Sequence, residues 1–147
     1  MALRLSTGSR TALCGTLGLA DIFNGGYIDI YSGGQPASAD YAETGSKLVR
    51  ITIASGGAAT SGLLWGTAAA GLLPKSGTTF SGVISAAGVA GYFRLYGTGG
   101  TSGSSTSEKR MDGNVGVSGS DLVLSNTSLT LKATLTIDTF TLGVPAS

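Results

Sequence analysis

The chain has 147 residues, of which 41% are apolar and 12% are charged, and its formal net charge is +1. This length fits one domain with a substantial core, and ordinary hydrophobicity with little net charge excludes intrinsic disorder. Glycine is frequent, at 25 residues, but it has no three-residue period, which excludes collagen. Residues 1–147 are predicted to form a single domain. No basic stripe or strongly charged segment is present, so no nucleic-acid or membrane partner is predicted.

The residue types needed for common active sites are scarce. The chain has no histidine, which is the commonest general base and transition-metal ligand, and its single cysteine, Cys14, excludes an internal disulfide. The eight acidic residues mostly border turns and show no recognised spacing for acid–base catalysis. The start lacks the apolar segment of a signal peptide, which favours synthesis in the cytoplasm. We therefore predict no catalytic, cofactor or metal site and no enzymatic activity.

Residues 1–25 form a predicted N-terminal arm with short helical turns. Ser9 is placed to cap a helix that ends at Gly15, and a second turn is expected over 19–24. Leu3 and Leu5 are spaced as in an extended arm. Cys14 is expected to be a small buried side chain.

The strand predicted at 27–31 has the clearest alternation in the chain. Ile28 and Ile30 share the face that we assign to the core. Tyr27, Asp29 and Tyr31 share the opposite face. A turn follows at 32–36, and then a loop to 46 that carries Asp40, Tyr41 and Glu43.

The remainder of the chain alternates between short apolar runs and Gly/Ser/Thr turns. Further strands are predicted at 47–54, 63–65, 78–85, 89–96, 108–117 (broken at Gly113), 121–125 and 129–144. The last run changes parity, which predicts a bulge or bend at 138–139. Residues 97–107 have no apolar side chain and are expected to form an exposed, mobile loop. Eight or nine strands without helical crossovers indicate an all-β fold, an antiparallel sandwich or barrel.

A second tyrosine–charge–tyrosine series lies on the strand at 89–96. Tyr92, Arg94 and Tyr96 project opposite to Phe93 and Leu95. If the two strands are neighbours, Asp29 and Arg94 can pair between the rings.

Together Tyr27, Asp29, Tyr31, Tyr92, Arg94 and Tyr96 form a candidate protein-contact face, because Tyr and Arg are enriched at interfaces. The alternative is an ordinary sheet face. Trp65 is interpreted as a core residue, with a sugar-stacking platform as the alternative.

Several segments resemble a family of small β-rich structural proteins of tailed bacteriophages. They are the start MALRLSTG (1–8), IYSGGQPASAD (30–40), YFR (92–94), RMDGNVG (110–116), GSDL (119–122) and the ending from 136–138 to 145–147. The resemblance covers nearly the whole chain and rests on strand and turn signatures.

Membership of this family implies a jelly-roll-like β-sandwich and a role as a capsid cement (decoration) protein. Such a protein binds the major capsid protein on the outer capsid surface of the virion as a homo-oligomer, here a dimer or trimer. Near-neutral charge suits the packing of many copies, and many weak contacts on one lattice add together. The alternatives are a tail, baseplate or fibre component, or a carbohydrate-binding β-sandwich module that uses Trp65.

Overall fold

The computed structural model describes residues 3–53 and 62–143, and within them it has two short helices and eleven strands. The helices are α1 (Thr7–Cys14) and α2 (Leu19–Phe23). The strands are β1 (Arg4–Leu5), β2 (Tyr27–Ser32), β3 (Lys47–Ile51), β4 (Leu72–Pro74), β5 (Phe80–Val83), β6 (Gly88–Tyr96), β7 (Arg110–Gly116), β8 (Leu122–Val123), β9 (Ser128–Leu129), β10 (Thr134–Ile137) and β11 (Thr141–Gly143). The predicted strand ends at 54 and 144 lie outside the described residues.

One large sheet organises the fold. Its strand order is β1-β7-β6-β2-β3, with all neighbours antiparallel, while β9 adds to β6 and β8 runs parallel to β7. Two antiparallel pairs, β10-β5 and β11-β4, complete the β structure of the described residues. A bridge between Thr52 and Ser81 links the chain just after β3 to β5. The predicted all-β fold with antiparallel sheets and a short helical N-terminal segment is confirmed; the jelly-roll connection stays a prediction.

The apolar core lies on one face of the large sheet. Its contributors from that sheet include Ile28, Ile30, Val49, Ile51, Phe93, Leu95 and Met111, all buried. The ring of Phe93 meets Phe140 at 5.3 Å, Phe140 meets Trp65 at 5.8 Å, and Trp65 meets Phe80 at 5.7 Å. A chain of aromatic contacts therefore runs from β6 of the large sheet to β5 of a smaller one. The interpretations of Ile28, Ile30 and Trp65 as core residues are confirmed.

The N-terminal arm folds onto its own sheet. Leu5 of β1 pairs with Met111 of β7. Helix α1 begins after Ser6, not at Ser9, because the extended backbone of Ser6 lets its hydroxyl accept from the Ser9 N–H at 3.2 Å. The helix ends at Gly15 as predicted.

Two side chains of α1, Ser9 and Cys14, do not have the burial expected for an amphipathic helix. Ser9 is buried in the first turn, where its hydroxyl donates to the carbonyl of Arg110. Cys14 is exposed, which corrects the prediction of a buried thiol. Ala12 and Leu13 are the partly buried apolar side chains of this helix that pack against the core.

The chain after β3 departs from the predicted strands in two places. The 63–65 strand is reduced to a single bridge between Trp65 and Lys75, and β7 continues through Gly113 without a break. The predicted interruption at 138–139 is present, since the chain leaves β10 at Ile137 and enters β11 in the other small sheet at Thr141. More strands are seen than predicted because several pairings are only two residues long.

Candidate functional site

The face of the large sheet opposite the apolar core carries three cross-strand rows of polar side chains, which we call the polar layer. The first row is Arg50, Asp29, Arg94, Asp112 and Arg4, from β3, β2, β6, β7 and β1. The second row is Tyr27, Tyr96 and Arg110, and the third is Tyr31, Tyr92 and Asn114. The adjacency of the two tyrosine–charge–tyrosine strands is confirmed by this register.

The first row contains two bidentate ion pairs, one part-buried and one fully buried. Arg50 donates to both carboxylate oxygens of Asp29 at 2.7 Å. Arg94 donates to both oxygens of Asp112 at 2.6 and 2.7 Å, and neither side chain is exposed. Two parallel N–H···O bonds fix the guanidinium plane, so this row has one defined geometry.

The predicted ion pair between Asp29 and Arg94 is replaced by these two pairs. Asp29 and Arg94 are opposite each other in the register, as expected. Each charge, however, has a second neighbour of opposite sign on its outer side, and the bidentate geometry is reached with Arg50 and Asp112. Arg50 lies on β3 and Asp112 on β7, whereas the prediction considered only β2 and β6.

Stacked tyrosines flank the ionic row on both sides. The rings of Tyr27 and Tyr96 are 4.7 Å apart, and those of Tyr31 and Tyr92 are 5.1 Å apart. The guanidinium of Arg50 lies over the Tyr27 ring at 3.8 Å. These contacts cover part of the ionic row and hold the charged groups in place.

The loop at 33–46 is held against the polar layer by hydrogen bonds. Arg94 uses its remaining Nη1 group to donate to Glu43 Oε1 and to the carbonyl of Tyr41, both at 2.9 Å. The Tyr96 hydroxyl also donates to Glu43. Tyr92 donates to the Thr44 carbonyl at 2.8 Å and accepts from its N–H at 2.9 Å.

The loop at 97–109 is attached by a second buried arginine. Arg110 donates to the carbonyls of Gly103 and Thr101 at 2.6 and 2.5 Å. Gly103 also donates its N–H to Glu43 Oε2 at 2.9 Å. Its φ of 91° lies in the left-handed region that favours glycine. Most residues of 97–107 are exposed, as expected, but the loop is not free, because two of its backbone carbonyls bind the buried guanidinium of Arg110.

These two loops, 33–46 and 97–109, cover the six predicted contact residues. Five are buried, namely Asp29 (2% exposed), Tyr31 (5%), Tyr92, Arg94 and Tyr96 (each 0%), and Tyr27 is half-buried with its hydroxyl donating to the Gly100 carbonyl. The structure thus gives these side chains internal partners in place of the open contact face that the alternation indicated. The physical reason is that Arg94 and Tyr92 each bind loop backbone, which draws the loop down onto the sheet.

The protonation states of Tyr31, Tyr96 and Glu43 are fixed at neutral pH. Burial raises the pKa of Tyr31 and of Tyr96, so both hydroxyls remain protonated donors. Burial opposes ionisation of Glu43, but hydrogen bonds from Tyr96 and Gly103 and the charge of Arg94 bring its pKa below the ordinary value. Glu43 therefore remains an ionised acceptor.

An open cleft borders the polar layer where the two covering loops meet β2 and β3. Tyr27, Tyr31, Glu43, Lys47 and Arg50 contribute to its lining. The cationic Arg50 is paired with Asp29, and the anionic Glu43 is paired with Arg94. Arg50 and Glu43 are therefore held in ion pairs at this cleft, an arrangement that suits loop attachment better than proton transfer.

Sequence reasoning missed six members of this arrangement: Arg4, Glu43, Arg50, Arg110, Asp112 and Asn114. A signal for three of them was present. In β7, Arg110, Asp112 and Asn114 alternate with Met111, Gly113 and Val115, which is the same period of two that identified the tyrosine series. For Glu43 no periodic signal exists, because it lies in a loop.

Trp65 is 8% exposed, with its ring against Phe80 and Phe140. It therefore presents no open ring face of the kind that stacks on a sugar.

Across 3–53 and 62–143, no group of three or more His, Cys, Asp or Glu is arranged to hold a metal ion, and no helix is long and apolar enough to cross a membrane. No protein-family model, curated protein or solved structure matches the chain.

Proposed function

We propose that this chain is a structural virion protein of tailed bacteriophages, a capsid cement (decoration) protein that binds the major capsid protein shell from outside and stabilises it. In this role it acts as a homo-oligomer, a dimer or trimer, after synthesis in the bacterial cytoplasm. It has no enzymatic activity and no cofactor, and it contacts neither nucleic acid nor membrane.

The observation that carries the proposal is the internal use of the polar layer. Arg94 alone joins Asp112, Glu43 and the Tyr41 carbonyl, so one buried side chain connects two strands and a loop. The charged and aromatic groups that serve chemistry in an enzyme serve here to hold two long loops against a sheet. A rigid sandwich with fixed loops suits a protein that reinforces a lattice under mechanical load.

The resemblance of segments such as 30–40 and 110–116 to phage structural proteins supports the same proposal. Residues 30–40 include the end of β2 and the start of the first covering loop, and residues 110–116 are the whole of β7. These segments carry Tyr31, Asp40, Arg110 and Asp112, which hold the covering loops or the polar layer together. The resemblance therefore lies where the polar layer is built.

Copy number in purified virions tests the proposal. Quantitative mass spectrometry is expected to find hundreds of copies per particle, and particles from a phage lacking the gene are expected to release DNA at a lower temperature. Adding back the purified full chain is the matched control and is expected to restore the release temperature. A handful of copies that fractionate with tails, with capsid heat stability unchanged, would establish the tail or baseplate alternative instead.

A further inference from the structure

Tyr41 differs from every other aromatic residue of the chain. All ten aromatic residues lie in the described ranges, and Tyr41 is the only one of them whose side chain is mostly exposed, at 58%. The other nine are buried or half-buried in the apolar core or the polar layer. An exposed tyrosine at the centre of a surface is a frequent energetic anchor of protein interfaces.

The backbone that carries this ring is held rigidly. The Tyr41 carbonyl accepts from the buried Arg94 at 2.9 Å, and the Tyr41 N–H donates to the Ser38 carbonyl at 3.1 Å. The residues on either side are tied to the other covering loop. Ser105 donates its N–H to the Asp40 carbonyl at 2.8 Å, and the N–H of Ala42 donates to Ser104 Oγ at 3.2 Å.

A fixed backbone lowers the entropy lost on binding. A tyrosine has only two side-chain torsions to order, so a ring on a rigid loop contributes most of its contact energy to affinity. The loop is fixed here by a bidentate buried ion pair behind it, between Arg94 and Asp112. The buried ion pair of the polar layer therefore holds the backbone that carries the exposed ring.

The two loop segments that meet at Tyr41 carry few charges. The only ionisable acids in residues 33–46 are Asp40 and Glu43, and residues 97–107 contain no charged residue. Both acids have partners within the chain: Asp40 accepts from the N–H and hydroxyl of Thr7, and Glu43 accepts from Arg94 and Gly103. Small Ser, Thr, Gly and Ala residues make up most of the remainder of these loops.

We infer that the joined loops 33–46 and 97–107, with Tyr41 where the two loops meet, are the surface that docks onto the shell protein. The partner site complementary to this surface is an apolar-walled pocket that receives a tyrosine ring, rimmed by uncharged hydrogen-bonding groups. The inference rests on the proposed function for the identity of the partner. It specifies contact through neutral groups, so binding depends little on salt.

Binding to shells from a phage that lacks the gene tests this docking surface. The full-length wild type, Tyr41→Ala, Tyr41→Phe and Val83→Ala are titrated onto purified shells and measured by co-sedimentation at low and high sodium chloride. Val83 is the matched control, because it is an exposed apolar residue on β5, in the small sheet that packs over the apolar core. Loss of the Tyr41 ring is expected to weaken binding at least about tenfold, whereas Tyr41→Phe and Val83→Ala stay within about threefold of wild type.

The outcomes separate this inference from the proposed function. If the wild type does not bind shells, the proposed function fails and the docking surface fails with it. If the wild type binds and Tyr41→Ala binds equally well, only the docking surface is overturned. A change in oligomer mass for Tyr41→Ala, measured by light scattering, also overturns it, because the ring would then lie between copies of this chain. An unchanged unfolding midpoint for Tyr41→Ala confirms that a loss of binding is a loss of contact.

Discussion

The two faces of the large sheet are covered by different kinds of interaction. On one face, Ile30 and Phe93 sit opposite each other in an apolar core that depends on shape and volume. On the other face, Asp29 and Arg94 sit opposite each other in a buried layer that depends on hydrogen-bond geometry. The apolar face joins the sheet to other strands, while the polar face joins it to loop backbone. The comparison shows that a polar face in an alternating strand need not be a solvated one.

Removing the central arginine is expected to have the largest effect on stability. Arg94→Met leaves Asp112 and Glu43 buried without their shared cation, and this is expected to lower the free energy of unfolding by about 3–5 kcal/mol. Urea denaturation measures the change. The double variant Arg94→Met/Asp112→Leu is the matched control and is expected to recover part of the loss. A loss below about 1 kcal/mol in the single variant would mean that the polar layer does not stabilise the fold.

Neutralising the loop carboxylate is expected to have an intermediate, localised effect. Glu43→Gln places amide hydrogens against the donors that Glu43 now accepts from, so unfolding is expected to become easier by about 1–3 kcal/mol. Hydrogen exchange is the sharper measurement, because the Gly103 N–H donates directly to Glu43. That amide is expected to exchange faster while amides of the β6 core strand keep their protection. Equal acceleration in both places would contradict a role confined to the loops.

Trimming the apolar face is expected to have a smaller effect, spread over the whole fold. Ile30→Val removes one methylene from a fully buried side chain and is expected to cost about 1 kcal/mol. In contrast to Glu43→Gln, the protection of the Gly103 amide should fall only in step with global stability. Thermal unfolding combined with hydrogen exchange makes this comparison. Selective opening of the 97–109 loop in Ile30→Val would show that the two faces are coupled.

Acid is expected to produce the smallest change, through the carboxylates of the 33–46 loop. Burial opposes ionisation of Asp40 and Glu43, but hydrogen bonds hold the pKa of each carboxyl below its ordinary value in the folded chain. Such groups stabilise the fold fully above their unfolded pKa values of about 4, and this contribution is lost as pH falls through the lower folded values. The unfolding midpoint is therefore expected to decline below about pH 4, less steeply in Glu43→Gln. An equal slope in that variant would assign the decline to other carboxyls.

The sequence predicted the parts of this fold that have a period. The alternation of Ile28 and Ile30 with tyrosines identified β2 and its two faces, and the same pattern identified β6 and the parity change near 138. What the alternation could not distinguish was whether the polar face met water or protein. That outcome depends on hydrogen bonds from side chains to loop backbone, such as the bond from Arg110 to the Gly103 carbonyl. Such bonds produce no periodic pattern in the sequence of the strand or of the loop.

The candidate site was predictable only in its central pair of strands. Asp29 and Arg94 were correctly placed as neighbours, but their ionic partners come from β3 and β7, whose positions in the sheet order had no signal in the sequence. The glycine-rich composition of 97–107 indicated a free loop, because it has no apolar side chain to bury. Its carbonyl groups, which every residue has, were what Arg110 required.

The Ser6 hydroxyl has a consequence for how the chain reaches this structure. It donates to the Glu108 carbonyl at 2.7 Å and accepts from the Arg110 N–H at 2.9 Å, bonds that span 102 and 104 residues of sequence. The start of the chain therefore has no docking site until most of the protein has been synthesised. Such long closures slow folding toward the millisecond-to-second range typical of β proteins. Until β7 arrives, Arg94 lacks its partner, so the ionic row and both loops are expected to form late, in one cooperative step.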